Sequence, residues 1–202
     1  MRPLPDKFLA AMIALLPLPG TPRYSGDDDL IVAQALSDLR HYTEAGVDAI
    51  VLENSHDLRY IKPPLDARAV ELMRSIGKEV RNRFAGPIGL QVLEAANDTA
   101  LEIAFEADLD FVRVEGYVFA HVGGAGLIEG CAGKLLRQRK KLNCENIKVF
   151  GDVDIVDEIN QAEFFLADGV IVTGMRTAEP PQLAELRRVK KMRGCRCSSV
   201  PA

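Results

Sequence analysis

Charged and amide side chains recur along this chain inside or directly after short apolar segments. An ionised group in such a position costs free energy unless it is paired or functional. Carboxylates transfer protons or bind divalent cations, and a guanidinium neutralises an anionic ligand. The residues of this kind are Glu53, Asn54, Gln91, Arg113, Glu115 and Asp152. Because these residues fall at or near the ends of the apolar segments, we interpret them as a binding site for a small phosphorylated or otherwise anionic metabolite, with Arg113 neutralising the anion.

Each of these candidates has an expected role. Glu53 and Asp152 are the candidates for catalytic proton transfer or for binding a divalent cation, although no particular metal or cofactor is indicated. Arg113 is expected to neutralise the anionic group of the ligand. The other candidate ligand-binding residues are Asn54, Gln91 and Glu115.

Short apolar segments rich in β-branched residues alternate with longer segments of helical periodicity. The predicted strands are 11–16, 49–52, 88–92, 111–114, 147–150 and 170–172. The predicted helices are 30–45, 66–84, 97–107, 127–142, 157–166 and 182–192. This alternation predicts an α/β fold of six βα units around a parallel sheet.

Three predicted helix-to-strand joints share one pattern, in which Ala or Leu is followed by a polar residue and then the strand. They lie at 45–50, 107–112 and 166–171. Such repeats are typical of (β/α)₈ barrels, whereas a dinucleotide-binding sheet would carry Gly-x-Gly-x-x-Gly after its first strand. A TIM-type barrel carries its chemistry at the carboxyl ends of its strands. We therefore expect the candidate residues to meet at one rim.

Two glycine-containing loops are further candidates. Thr173 and Gly174 follow the last predicted strand and are expected to bind ligand, because late barrel loops often offer hydroxyls and amides to phosphate. The segment 121–126 has three glycines before a predicted helix, which fits an anion cradle, a flexible turn or a lid equally well.

Other polar residues have two interpretations each. Arg113 and Glu115 share one face of a strand, so a structural ion pair explains them as well as ligand binding does. His56 and Asp57 fit a base with its orienting carboxylate or a pair of metal ligands, but a solvated loop histidine is the commoner case.

The composition is that of an ordinary soluble globular protein. Of the 202 residues, 48% are hydrophobic and 27% are charged, and the net charge is −4. We expect one domain over 1–192 with an irregular tail at 193–202. No apolar run reaches the roughly 18 residues of a membrane span, and no basic surface suited to nucleic acid is indicated. The cysteine pattern and the amino-terminal residues favour the cytoplasm, with a mitochondrial location left open.

Four segments in order resemble the successive signatures of the BtpA family. They are Leu16–Pro22, Gly46–Asn54, Asp110–Arg113 and Asp168–Gly174. The resemblance implies a TIM-type barrel related to the ribulose-phosphate-binding barrels. It also implies a link to photosystem I biogenesis in cyanobacteria, whereas the chemistry of members from other organisms is poorly defined.

The chain departs from the family pattern at several points. Ala14 stands where the family usually has a histidine, the loop after Asp152 is shorter, and Thr173–Gly174 is not followed by a second Thr-Gly. The family also has about two further βα units. Six strands would leave the barrel open, so we expect an incomplete gene model or splice form, in preference to a protein partner or second copy that covers the open sheet edges.

Two functions follow from these observations. The preferred one is a barrel that binds a small anionic or phosphorylated metabolite, with an unknown reaction. The alternative is a non-enzymatic assembly or stability factor for a protein complex, and an inactive truncated copy is a third interpretation. Whether the chain is an enzyme is left open.

Overall fold

The computed structural model describes residues 2–5, 7–153, 156–172, 181–191 and 196–199. The strands are β1 Ala10–Ala14, β2 Ala49–Glu53, β3 Ile88–Gln91, β4 Phe111–Val114, β5 His121–Gly123, β6 Gly126–Ile128, β7 Lys148–Val153, β8 Gly169–Val172 and β9 Arg196–Ser199. The helices are α1 Asp28–Glu44, α2 Ala67–Arg83, α3 Asn97–Glu106, α4 Ala132–Lys141, α5 Val156–Phe164 and α6 Leu183–Lys191. The candidate ligand residues Thr173 and Gly174 lie outside the described residues.

The main sheet contains seven parallel strands in the order β1-β2-β3-β4-β7-β8-β9. Helices connect most neighbouring strands, as parallel strands require. Within the described residues the two outer strands, β1 and β9, do not pair with each other. The described residues therefore have the predicted α/β architecture, with the sheet of a TIM-type barrel that does not close among these residues.

Two aspartates define where the first long helices begin. The Asp27 side chain accepts a hydrogen bond from the Leu30 amide, and the Asp66 side chain accepts one from Arg68. These bonds satisfy amides that a helix cannot pair internally. On α2 the buried residues recur every three or four positions, which directs one apolar face onto the sheet: Ala69, Leu72, Met73, Ile76 and Val80.

The inner, concave face of the sheet carries a separate apolar cluster. The rings of Phe111 and Phe150 lie 5.2 Å apart between their centroids. Gly89 lies beside the Phe111 ring, which leaves no space for a side chain at this position, since a Cβ atom there would overlap the ring. The buried members of this cluster are Val51, Phe111, Phe150 and Ile171. Burying side chains of this size contributes about 1.5–3 kcal/mol each.

The repeated helix-to-strand joints have a common structural role. Asp48, Asp110 and Asp168 each directly precede a strand, and each carboxylate accepts a backbone hydrogen bond from the start of the neighbouring strand or from the residue just before it. The donors are the amides of Leu9 at 2.8 Å, Ile88 at 3.0 Å and Val149 at 3.0 Å, respectively. These bonds connect adjacent strands at their amino-terminal ends.

The structure differs from the sequence-based expectation at the segment after β4. Helix α4 begins at Ala132 rather than at residue 127, because 121–128 forms the antiparallel hairpin β5–β6. Gly126 has a φ of +99° at the turn, a conformation that residues with a side chain rarely adopt. The glycines thus form a hairpin turn instead of leading into a helix.

Within the segment 193–202, which is predicted to be an irregular tail, the described residues 196–199 differ from the prediction. Residues Arg196–Ser199 form β9 and pair in parallel with β8. The sequence of β9 has no apolar alternation, so its backbone pairing is the physical reason for the strand. The edge of β8 offers unpaired amides and carbonyls, which β9 satisfies.

Candidate functional site

The candidate residues of neighbouring strands lie on the concave face, one step beyond the apolar cluster. Ala14 is the register partner of Glu53, and Glu53 is the partner of Gln91. Gly89 on β3 pairs with Phe111 on β4. Gln91 lies two residues after Gly89, and Arg113 lies two residues after Phe111. Residues two apart in a strand share one face. The sheet thus arranges Glu53, Gln91 and Arg113 in one row.

Arg113 connects this row to Asp152 on β7. Its Nε donates to the two carboxylate oxygens of Asp152 at 2.9 and 3.2 Å, and its Nη1 lies 3.8 Å from Glu53 Oε2. The three side chains are only 13–16% exposed. Burial by itself lowers the pKa of the guanidinium, but the carboxylates of Asp152, Glu53 and Glu115 outweigh burial, and the net pKa is raised.

The Nη groups of Arg113 differ from its Nε. Among the described residues they donate no hydrogen bond, because the hydrogen bonds of this side chain run from Nε alone. A guanidinium offers its Nη groups in a planar fork that matches carboxylate and phosphate oxygens. Arg113 is therefore held by Asp152 and retains donors for a ligand.

Asp152 is the candidate whose protonation is most strongly altered. Burial raises the pKa of its carboxyl group from 3.8 to about 6, although the Arg113 guanidinium acts in the opposite direction. This net value also includes like-charge repulsion from Glu115 and Glu53, which raises the pKa. A carboxyl group with a pKa near 6 accepts and releases protons close to neutral pH, which suits general acid–base chemistry.

Gln91 carries an unsatisfied polar atom in the middle of the row. The residue is 3% exposed, and within the described part of the chain its Oε1 has no hydrogen-bond partner. Buried polar atoms of this kind are uncommon and costly. A hydroxyl or amino group of a ligand would supply the missing donor.

Asn54 has a different position from the one expected for a ligand-binding residue. Its Oδ1 accepts from the Leu93 amide at 2.8 Å, and its Nδ2 donates to Asp57 at 2.9 Å and to the Leu93 carbonyl at 3.2 Å. It is 2% exposed. Its carboxamide is therefore fully used in joining the loops after β2 and β3, and we leave it out of the proposed ligand set.

Asp57 is part of the same internal connection and does not orient His56. Its Oδ1 accepts from the Leu18 amide at 2.8 Å, while Oδ2 accepts from Asn54. Burial raises the pKa of the Asp57 carboxyl group, although these two hydrogen bonds lower it. His56 is exposed. The pair is thus not arranged as a base with its orienting carboxylate, and Asp57 instead anchors the loop after β1.

Two carboxylates fasten the β5–β6 hairpin to the ends of β3 and β4. Glu94 is 6% exposed, and its Oε2 accepts from the Ala125 amide at 2.7 Å. Glu115 Oε2 accepts from the Ala95 amide at 3.0 Å, and its Oε1 lies 3.4 Å from His121 Nε2. The glycine-rich turn, a possible anion cradle from the sequence, therefore already holds an anionic group of the chain itself.

A divalent cation does not fit between Glu53 and Asp152, because the Arg113 guanidinium contacts one and approaches the other. Across the described residues, no group of three His, Cys, Asp or Glu side chains is placed to hold a metal ion. In the same part of the chain, no helix is long and apolar enough to cross a membrane.

Solved structures with a similar fold include a thiamine phosphate pyrophosphorylase from Pyrococcus furiosus. It has a TM-score of 0.55 and 14% sequence identity, and the match covers 83% of this chain and 68% of that one. A FabK variant (M276A) from Thermotoga maritima matches with a TM-score of 0.50 and 16% identity over 93% of this chain and 52% of the other. These likenesses concern the fold alone.

Sequence relatives are more informative. An uncharacterized mitochondrial protein of Caenorhabditis elegans is 38% identical over 90% of this chain and 72% of its own length. An uncharacterized protein of Pyrococcus abyssi is 36% identical over 94% and 76%, respectively. The photosystem I biogenesis protein BtpA of Synechocystis is 30% identical over 87% of this chain and 65% of its own length. The BtpA family model matches residues 5–197. The chain therefore belongs to the BtpA family.

Proposed function

We propose that the chain binds a small metabolite at the carboxyl ends of its strands, and that the metabolite carries an anionic group and a hydroxyl or amino group. The observation that carries this proposal is that hydrogen-bond donors and an acceptor without partners among the described residues lie in the same row. The Nη groups of Arg113 have no hydrogen bond with the described residues, and the buried Gln91 Oε1 has no donor. A phosphorylated sugar or hydroxy acid offers both complementary groups.

The carboxyl groups next to Arg113 are the proposed proton-transfer groups of this site. Asp152 has a pKa of about 6, so both of its protonation states are accessible near neutral pH. Glu53 lies on the other side of Arg113 and accepts a hydrogen bond from Ser55 at 2.7 Å. We assign proton transfer to Asp152 first and to Glu53 second. Thr173 and Gly174 remain proposed phosphate ligands at the adjacent strand end.

A thermal-shift screen with sugar phosphates and hydroxy acids, with and without Mg²⁺, tests this function. A ligand present at 100 times its dissociation constant stabilises the folded chain by about 2.7 kcal/mol, which is readily visible as a shift in Tm. Arg113→Met and Gln91→Leu should each remove the shift, while His56→Ala in a neighbouring exposed loop should preserve it. If the wild-type chain responds to none of the compounds, the proposal is wrong.

A second candidate function is assembly or stabilisation of a protein complex, and one observation favours it. A relative at 30% identity is named a photosystem I biogenesis protein. Co-purification separates the two candidates: a stoichiometric protein partner whose binding survives both Glu53→Ala and Arg113→Ala would favour the assembly role. As for location, we retain the cytoplasm, with the mitochondrion as the alternative suggested by the name of the Caenorhabditis elegans relative.

A further inference from the structure

A cavity lies outside the row of Glu53, Gln91 and Arg113. It has a volume of about 220 Å³ and lies between the loop after β1, the loop after β2 and the first turns of α2. Its apolar lining includes Leu18, Leu65, Ala69, Met73 and Leu93. Met73 and Leu18 are each 1% exposed, so the inner end of the cavity is deep in the protein.

Most polar groups around this cavity are already satisfied. Asn54 and Asp57 bond to each other and to the backbone, as described above. The Tyr60 hydroxyl donates to the Ser55 carbonyl at 2.6 Å, and the Thr21 hydroxyl donates to the Leu18 carbonyl at 2.8 Å. An occupant therefore needs no strong polar group in order to satisfy the walls.

The charges near the cavity disfavour an anion. Asp57 and Asp66 line it, and Arg59 is the one cationic side chain among its described lining residues. The pKa of Tyr60 is raised by burial first and then by the negative charges of Glu53, Asp57 and Glu94. An anion placed here would lose hydration and meet the carboxylates of Asp57 and Asp66. A cation gains little from Asp57, because both of its carboxylate oxygens already accept hydrogen bonds. The occupant is thus uncharged where it is buried.

The size of the cavity limits the occupant further. Apolar cavities of roughly 150 Å³ bind benzene, whereas pockets for drug-sized ligands measure about 300–1,000 Å³. A cavity of about 220 Å³ holds a group of one aromatic ring or a short branched alkyl chain. It is too small for a helix or a strand of a protein partner.

From its size, lining and charge, we infer that this cavity is a binding pocket for a compact, uncharged apolar molecule or group of about one ring. The pocket adjoins the row of candidate residues, because Asn54 in its wall directly follows Glu53 and Leu93 lies two residues after Gln91 in the chain. The inference does not depend on the function proposed above, since Arg113 and Gln91 do not line the pocket.

Toluene and benzoate are suitable probes, with the methyl carbon resonances of methionine as the readout. Toluene should shift the Met73 methyl signal, while Met12 on the concave face should not respond and benzoate should bind at least tenfold more weakly. Ala69→Leu fills the pocket and should weaken toluene binding at least tenfold. Ala67→Leu, on the exposed side of the same helix, is the matched control and should leave binding unchanged.

Several results would overturn this inference. They are a Met73 signal that toluene does not shift, a Met12 signal that shifts in its place, equal affinity for benzoate, and undiminished binding to Ala69→Leu. If Ala69→Leu does not fold, the Met73 and Met12 responses of the wild-type chain still decide the question. Because Arg113→Met leaves the pocket intact, that variant should bind toluene normally even where sugar phosphates fail to bind.

Discussion

Arg113 on β4 and Asp152 on β7 form a two-point contact across neighbouring strands, with Nε donating to both carboxylate oxygens at 2.9 and 3.2 Å. The contact does more than neutralise a buried charge. It holds the guanidinium through Nε, while the Nη groups make no hydrogen bond with the described residues. The same contact lowers the pKa of Asp152, but burial outweighs it and the pKa is about 6.

Removal of the Arg113 guanidinium should destabilise the chain. Arg113→Met leaves the carboxylates of Glu53, Glu115 and Asp152 without their cation, and breaking a largely buried pair costs about 3 kcal/mol. Urea unfolding monitored by circular dichroism measures the loss. Lys140→Ala, which breaks an exposed pair with Glu145, is the control and should change stability by less than about 1 kcal/mol. Equal effects of the two variants would contradict a buried Arg113–Asp152 pair.

The raised pKa of Asp152 predicts a specific pH dependence of stability. Because this pKa is about 6 in the folded chain and 3.8 ordinarily, the folded state binds more protons than the unfolded state between these values. The contribution of Asp152 to the free energy of unfolding therefore falls as pH rises from 3.8 to about 6.

Asp152→Asn removes this titration, so the wild type should lose stability relative to the variant over that pH range. Unfolding experiments at several pH values measure the difference, and the carboxyl carbon resonance of Asp152 gives its pKa directly. A carboxyl pKa near 3.8, together with a pH-independent difference between the two proteins, would show that Asp152 is an ordinary carboxylate.

Much of the fold and part of the site follow from the sequence alone. Strands that are buried on both faces appear in the sequence as continuous apolar runs. This is why the parallel strands could be predicted from the sequence. The positions of Glu53, Gln91 and Arg113 in or next to predicted parallel strands also predict that these residues meet at one rim. The roles of Asn54 and Glu94 depend instead on contacts 39 and 31 residues away in the chain. Local spacing does not specify contacts of that range.

The hydrogen bonds of Asn54 predict a structural role. Asn54→Ala should lower the free energy of unfolding by about 2–4 kcal/mol, since it leaves the Leu93 amide and one oxygen of Asp57 without partners in a buried place. Differential scanning calorimetry or urea unfolding measures this loss. His56→Ala, two residues further along the same loop and exposed, should be nearly neutral. Full stability of Asn54→Ala would return Asn54 to the candidate ligand residues.

Substitution by alanine should destabilise the chain by different amounts at two of the helix-to-strand joints, those of Asp110 and Asp48. Asp110 is 4% exposed and accepts from the Ile88 amide, the Arg2 amide and Arg81 Nη1, each at 3.0 Å. Asp110→Ala leaves the Arg81 guanidinium, 7% exposed, without its carboxylate, and should cost about 3–5 kcal/mol.

Asp48 occupies the equivalent position before β2, but it is exposed and its carboxylate accepts from the Leu9 amide at 2.8 Å. Asp48→Ala should therefore cost only about 1 kcal/mol, the usual net contribution of one accessible hydrogen bond. Unfolding curves of both variants under one condition give the comparison. Both aspartates accept a hydrogen bond from a backbone amide, but only Asp110 pairs with the buried Arg81. Similar losses of stability at the two joints would mean that the amide hydrogen bond contributes more than the pair with Arg81.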